Sequence, residues 1–201
     1  MGQIKSTMEM VLARAERLCS EVDIDPAEDV IQRGMKLGAA VLSGQVVDLD
    51  EALRSLAPVD TQNFVQGLLR TFYRHIQLPR EEGHPWEGAL AGLQRLAQAL
   101  SLSGDAQDQL SGVLNELRSI LGRYLQHRQQ LEKQLEEGFS MQAAQLQQSL
   151  AQQTGMKMKI SPRQHPKFAE EWQRVQAQLN DQYGNALEHY KTSISSFFNQ
   201  S

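Results

Sequence analysis

A chain of 201 residues with 40% apolar side chains can form one large domain, or a compact domain with an appendage, and is too apolar to be disordered throughout. Its net charge of −4 is unevenly placed: residues 1–104 carry 14 acids against 10 Lys and Arg, and residues 105–201 carry 10 of each. The first half is therefore a poor phosphate binder, and the single cysteine, Cys19, excludes an intrachain disulfide. No apolar run is long enough for an integral membrane segment, and Arg14, Glu16 and Arg17 interrupt the only candidate signal sequence, so a cytoplasmic location is expected.

Helix signals follow one another along the first half. Ser6-Thr7-Met8-Glu9 reads as a capping box, opening a helix whose stripe is Met8, Val11, Leu12, Ala15, Leu18, Cys19 and Val22. Asp25-Pro26-Ala27-Glu28 is a stronger start, and that helix is expected to bury Val30, Ile31, Met35, Val41 and Leu42 and to end at Gly44. Within it, Gly34 and Gly38 permit a close helix crossing. A short helix from about Leu49 to Ala57 is expected to stop at Pro58. Asp60 would then cap a helix carrying Phe64, Val65, Leu68, Leu69, Phe72 and Ile76. After a loop at Arg80–Pro85, Trp86, Leu90, Leu93, Leu96 and Leu100 line another. Five pieces of ordinary length with short connections predict a compact helical bundle over 1–104.

The second half differs. Leu110, Leu114, Leu117, Leu121, Tyr124, Leu131, Leu135, Phe139, Ala143, Leu146 and Leu150 keep one helical stripe from about Ala106 to Gln153. Phe168, Trp172, Val175, Leu179, Tyr183, Ala186, Tyr190, Ile194 and Phe197 keep another from about Lys167 to Phe198. Between them, Thr154-Gly155, Ser161-Pro162 and His165-Pro166 break the helix. The fold class is therefore all-α, a helical bundle followed by a long antiparallel, coiled-coil-like hairpin over 105–201 with a tip loop at 154–166. Pairing about the centre of that loop makes residue numbers at equal height sum to about 320. Gly138 and Gly184, each beside a double step of four, would then share a level. On this register Leu110–Leu121 has no partner in the last helix, and Phe197 and Phe198 return near Tyr124. Trp172, Tyr183 and Tyr190 need more cover than one neighbour gives, so homo-oligomerisation is expected, with a dimer favoured.

The candidate functional surface is the tip: Met156, Lys157, Met158, Lys159, Ile160, Arg163, His165 and Lys167. No acid lies between Gly138 and Ala169, and alternation from Met156 to Ile160 gives one apolar and one basic face suited to an exposed sheet edge, an equivalent strip in another subunit, or an acidic partner. A solvated loop whose Met and Ile cover the arm's end is the plainer alternative.

Chemistry is otherwise scarce. Glu81-Glu82-Gly83-His84 holds a single Glu-x-x-His between two prolines, where di-iron bundles use two such motifs on helices. His75, His127, His165 and His189 have no ligand-type partner four residues away, and Cys19 sits on an apolar stripe. No cofactor, metal or catalytic role is expected. Met1-Gly2-Gln3-Ile4-Lys5-Ser6 fits the short myristoylation pattern, with Ser6 competing as a cap. Leu49–Leu69 loosely resembles a helix-turn-helix, yet its reading helix has no base before Arg70, so nucleic acid is not the expected partner. The sequence thus points to a non-enzymatic structural or adaptor protein. The alternative is a peripheral protein using the same basic tip on an anionic membrane surface or nucleic acid.

Overall fold

The computed structural model describes residues 25–79, 86–154 and 161–199. These form six α-helices and, among the described residues, no strand: α1 (Pro26–Leu42), α2 (Leu49–Arg54), α3 (Pro58–His75), α4 (Glu87–Ala99), α5 (Gly104–Thr154) and α6 (Pro166–Phe198), with a 3₁₀ turn at Pro162–Gln164 before α6. A helical bundle followed by a long antiparallel hairpin is the observed architecture. The helix expected from Ser6, the Gly2 and Cys19 readings and the Glu81–His84 motif lie outside the described residues.

Local signals account for most helix ends. Asp25 caps α1 by accepting from the Ala27 amide at 3.1 Å, and Pro26 takes the first helical position. Gly44 ends α1 at φ +77°, where the Gly44 and Gln45 amides bond back to the carbonyls of Val41 and Ala40. Asp48 caps α2 by accepting from Glu51 N at 3.0 Å. One expectation needs correcting: Pro58 does not stop the preceding helix, which has already ended at Arg54. It opens α3 instead, with Ala57 as cap and Asp60 inside the first turn. Proline costs nothing at that position because its missing N–H would have had no partner within the helix.

α1 and α3 cross with their backbones in contact. A Cβ added at Gly34 would collide with the Phe64 carbonyl oxygen, and one added at Gly67 with the Ile31 carbonyl oxygen. Beside this crossing, Thr71 Oγ1 lies 3.2 Å from the carbonyl oxygens of both Met35 and Gly67, so its hydroxyl ties the two helices together. Gly38 packs against the same threonine. The rest of the core is apolar and continuous. Leu68 and Phe72 of α3, Ile76 just after it, Trp86, Leu90, Leu93 and Leu96 beside or on α4, and Leu114, Leu117 and Leu121 of α5 are all fully buried. The same cluster includes Leu187, Ile194 and Phe198 of α6. The C-terminal helix therefore ends inside the head's core. The expectation that Leu110–Leu121 lacks a partner in the last helix fails: Tyr190 Oη donates to Glu116 at 3.0 Å, and Tyr73 Oη shares a 2.8 Å hydrogen bond with Ser195.

The hairpin's register is also corrected. Tyr183 lies beside Tyr124 and His127, and Phe139 lies beside His165 and Phe168. Phe139 and Tyr183 are thus about 22 Å apart along the pair, and Gly138 and Gly184 do not share a level. Pairing is displaced by about fourteen residues along α6, because the returning chain is pinned well back from the end of α5 rather than turning symmetrically. Nothing lies within 4 Å of a Cβ built on either glycine, so neither serves a close approach. Among the described residues no helix is long and apolar enough to cross a membrane.

Two measurements check this packing. Gly67→Ala should lower unfolding stability in urea by about 2–3 kcal/mol, since overpacking here meets backbone rather than a movable side chain. Burial pushes the Tyr73 hydroxyl from 10.0 up to about 12, against a smaller opposing effect of its Ser195 hydrogen bond. A raised folded-state pKa gives stability that is complete below pH 10 and lost as pH climbs through 12. The wild type should therefore lose stability over that interval faster than Tyr73→Phe, in parallel denaturant titrations.

Candidate functional site

The returning segment is built from short-range signals. Ser161 N–H donates to Gln164 Oε1 at 2.8 Å, closing the 3₁₀ turn that Pro162 begins. His165 precedes Pro166 and is held extended (φ −68°, ψ 131°), as the proline ring requires. From there its Nδ1 accepts from the Lys167 amide at 3.3 Å, making it the N-cap of α6. Its ring centroid lies 5.0 Å from that of Phe139, and Phe168 meets Phe139 edge-on at 5.7 Å. Phe139 and Phe168 are both buried.

Arg163 is engaged rather than presented. Its Nη2 lies 3.1 Å from Glu132 Oε1, and its Nε donates to Glu136 Oε1. The hydrogen bond to Glu136 and then the charge of Glu132 raise its pKa above the already high guanidinium value. The side chain is 61% exposed, so this pairing contributes at most about 1 kcal/mol and serves mainly to neutralise charge. Lys167 is exposed, with no ion pair among the described residues. Met156, Lys157, Met158, Lys159 and Ile160 lie outside the described residues. Of the eight tip residues, the structure thus brings Arg163, His165 and Lys167 to the side of α5, and gives the first two structural contacts.

A second polar cluster, invisible in the sequence, sits where head and arm meet. Tyr124 Oη donates to Asn180 Oδ1 at 2.8 Å, and Tyr183 Oη is 2.8 Å from His127 Nδ1. The Tyr124 and Tyr183 rings pack edge-on at 5.4 Å. Burial raises the Tyr124 hydroxyl pKa, with the nearby Arg128 charge opposing it. A cavity of about 620 Å³ opens here, lined by Gln77, Leu78, Tyr124, Arg128, Gln176 and Asn180. Its walls offer amides, a phenol and a guanidinium but no nucleophile with an adjacent base. The stripes carried Tyr124 and Tyr183 as apolar positions; nothing in their spacing marked the partners of their hydroxyls, because those depend on the register.

A smaller apolar groove of about 390 Å³ runs between α1, α2 and α3, past Leu37, Ala40, Ala52 and Phe64. Phe64 and Val65 of the would-be reading helix are buried in this bundle. Among the described residues no group of three or more His, Cys, Asp or Glu is placed to hold a metal.

Geometrically this is an all-helical protein in which one long helix is shared between a globular head and a projecting hairpin. The chain belongs to a family described as "Family of unknown function (DUF6657)", which matches residues 50–196, from α2 almost to the end of α6. No curated protein and no solved structure matches it.

Packing and charge can be separated at the returning segment. Phe139→Ala removes a ring on which both His165 and Phe168 rest, a loss of about 3 kcal/mol or more. Arg163→Gln removes only exposed pairs worth at most about 1 kcal/mol. Amide hydrogen exchange over residues 168–175 should therefore accelerate at least about tenfold in Phe139→Ala, and only a few-fold in Arg163→Gln.

Proposed function

We propose that this protein is a non-enzymatic structural or adaptor protein of the cytoplasm, which associates with itself through its helical arm and binds an acidic protein partner at the basic segment around 156–167. The observation that carries this reading is the continuity of α5. Leu110–Leu121 are core residues of the head, and the same helix continues without a break to Thr154, about 50 Å further on. An uninterrupted helix transmits position, so whatever the arm's end holds stays fixed relative to the head. Half-buried Trp172 and Tyr183 along the arm support self-association, since each retains apolar surface that one neighbouring helix leaves uncovered.

The alternative, an anionic membrane surface or nucleic acid held by the same cations, is less favoured. Glu132 and Glu136 already neutralise Arg163, leaving Lys157, Lys159 and Lys167 as the strip's lysines. Three lysines give only weak, salt-screened attraction to a polyanion.

The test replaces Lys157, Lys159 and Lys167 together by Glu in the full chain, with a photo-crosslinking residue at position 164. The wild type should crosslink to discrete proteins in cells and the triple variant should lose them, while light scattering of the two is unchanged. Identical crosslinks from both chains would overturn the tip as a partner site. Salt-sensitive binding of the wild type to phosphatidylserine vesicles or to single-stranded DNA, abolished in the triple variant, would move the function to the alternative.

A further inference from the structure

The end of α5 outruns α6. Phe139 lies level with Phe168, near the start of α6, so α5 residues 141–152 continue for about 17 Å beyond α6. One side of this overhang, with Ala143, Leu146 and Leu150, is buried or half-buried. The other side carries Met141, Ala144, Gln145, Gln148 and Gln152, spaced along a single helix face, and all five are exposed. Met141 is 74% exposed, one of three large apolar side chains so placed among the described residues.

Charge makes this face unusual. From Gly138 to Met156 the sequence contains no Asp, Glu, Lys or Arg, in a chain where such residues are 22% of the whole. A solvated helix surface ordinarily carries charge on both sides, in pairs three or four apart that support an isolated helix. Here those pairs are missing where α5 has lost its partner helix, and one apolar side chain stands in the open.

A neutral face also selects its occupant. An acidic or basic partner finds no complementary charge on it, whereas two identical charged faces would repel. Glutamine amides are complementary to themselves, each offering both a donor and an acceptor. In an antiparallel pair related by a two-fold axis near residues 146–147, Gln145 of one copy faces Gln148 of the other, and Met141 faces Gln152. Each contact then occurs twice, as two-fold symmetry demands.

We propose that the Met141–Gln152 face of α5 is a homodimer contact, occupied by the same face of a second copy packed antiparallel. This rests on the self-association reading of the arm and adds to it a contact beyond the start of α6, separate from the Trp172 and Tyr183 surface. The assembly joins two molecules end to end through their arms, with the heads at opposite extremes.

Charge placed on this exposed face tests the pairing without disturbing the core. Gln145→Glu/Gln148→Glu sets carboxylate against carboxylate across the contact, and Gln145→Lys/Gln148→Lys sets ammonium against ammonium. Light scattering of the full chain across the micromolar range should show a wild-type dimer, and in each double variant a dissociation constant raised about tenfold or more. An equimolar mixture of the two variants should recover the dimer, and far-UV circular dichroism should match the wild type in both. A dimer that survives both double variants would overturn this surface while leaving arm self-association elsewhere. Variants that dissociate but fail to recover when mixed would overturn the antiparallel pairing. A wild type monomeric throughout would overturn both this contact and the self-association of the arm.

Discussion

Rings at two levels decide how α5 and α6 lie against each other. Tyr124 and Tyr183 meet edge-on near the head, and Phe139 meets Phe168 and His165 farther out. Each aromatic side chain commits a large apolar area, and sliding one helix by a turn, about 5 Å, would uncover rings at both levels at once. Two distant contacts of this size fix register far better than the Leu and Ala positions between them, which are interchangeable from one turn to the next. The hydroxyls sharpen the choice: Tyr124 reaches Asn180 and Tyr183 reaches His127 only in this alignment. Both ends of α6 follow. Its start falls level with Phe139, leaving α5 to continue alone, and its last turns bring Ile194 and Phe198 into the head's core.

The head holds the arm by burial more than by charge. Leu110, Leu114, Leu117 and Leu121 are at most 1% exposed and form one continuous cluster with α3, α4 and the end of α6. Fully burying such a side chain is worth roughly 1.5–3 kcal/mol, so the four outweigh any surface pairing nearby. Arg118 binds both carboxylate oxygens of Glu87, at 2.8 and 3.1 Å from Nε, and so orients α5 against α4. With both side chains about 40% exposed, that pair specifies an angle and adds little stability. The glycine crossing brings the backbones of α1 and α3 into contact, so no side chain separates them at Gly34 and Gly67.

Much of this was legible in the residues, and what was not had one cause. Helical stripes and cap signals gave the number and order of the described helices. Asp25-Pro26 and Gly44 marked the two ends of α1, and Gly34 with Gly38 marked its close crossing. These are signals whose partner is a few residues away or whose meaning does not depend on alignment. Register is different: a stripe repeats nearly identically every turn, so stripes alone permit many alignments, and symmetric pairing about the loop was the wrong choice among them. The roles of Arg163 and His165 were lost with it. Both read only as members of the tip, and only the true alignment places Glu132, Glu136 and Phe139 beside them. Pro58 failed for a local reason, since a proline that ends one helix and one that opens the next look alike when the intervening segment is three residues long.

The corrected register divides the arm into zones of different reach. Near Glu132, Glu136 and Glu137 the acids are answered by Arg163 and Lys133, so the field there is short-ranged. Beyond Glu137 the helix is neutral, and contacts on it depend on shape and amide hydrogen bonding, which act only at touching distance. The lysines of the returning segment act over roughly a Debye length, about 10 Å at moderate salt. In the proposed assembly a contact on the neutral face and an acidic partner on the lysines would therefore respond to different conditions. Salt would weaken the second and leave the first nearly unchanged, so one arm can stay paired while its partner comes and goes.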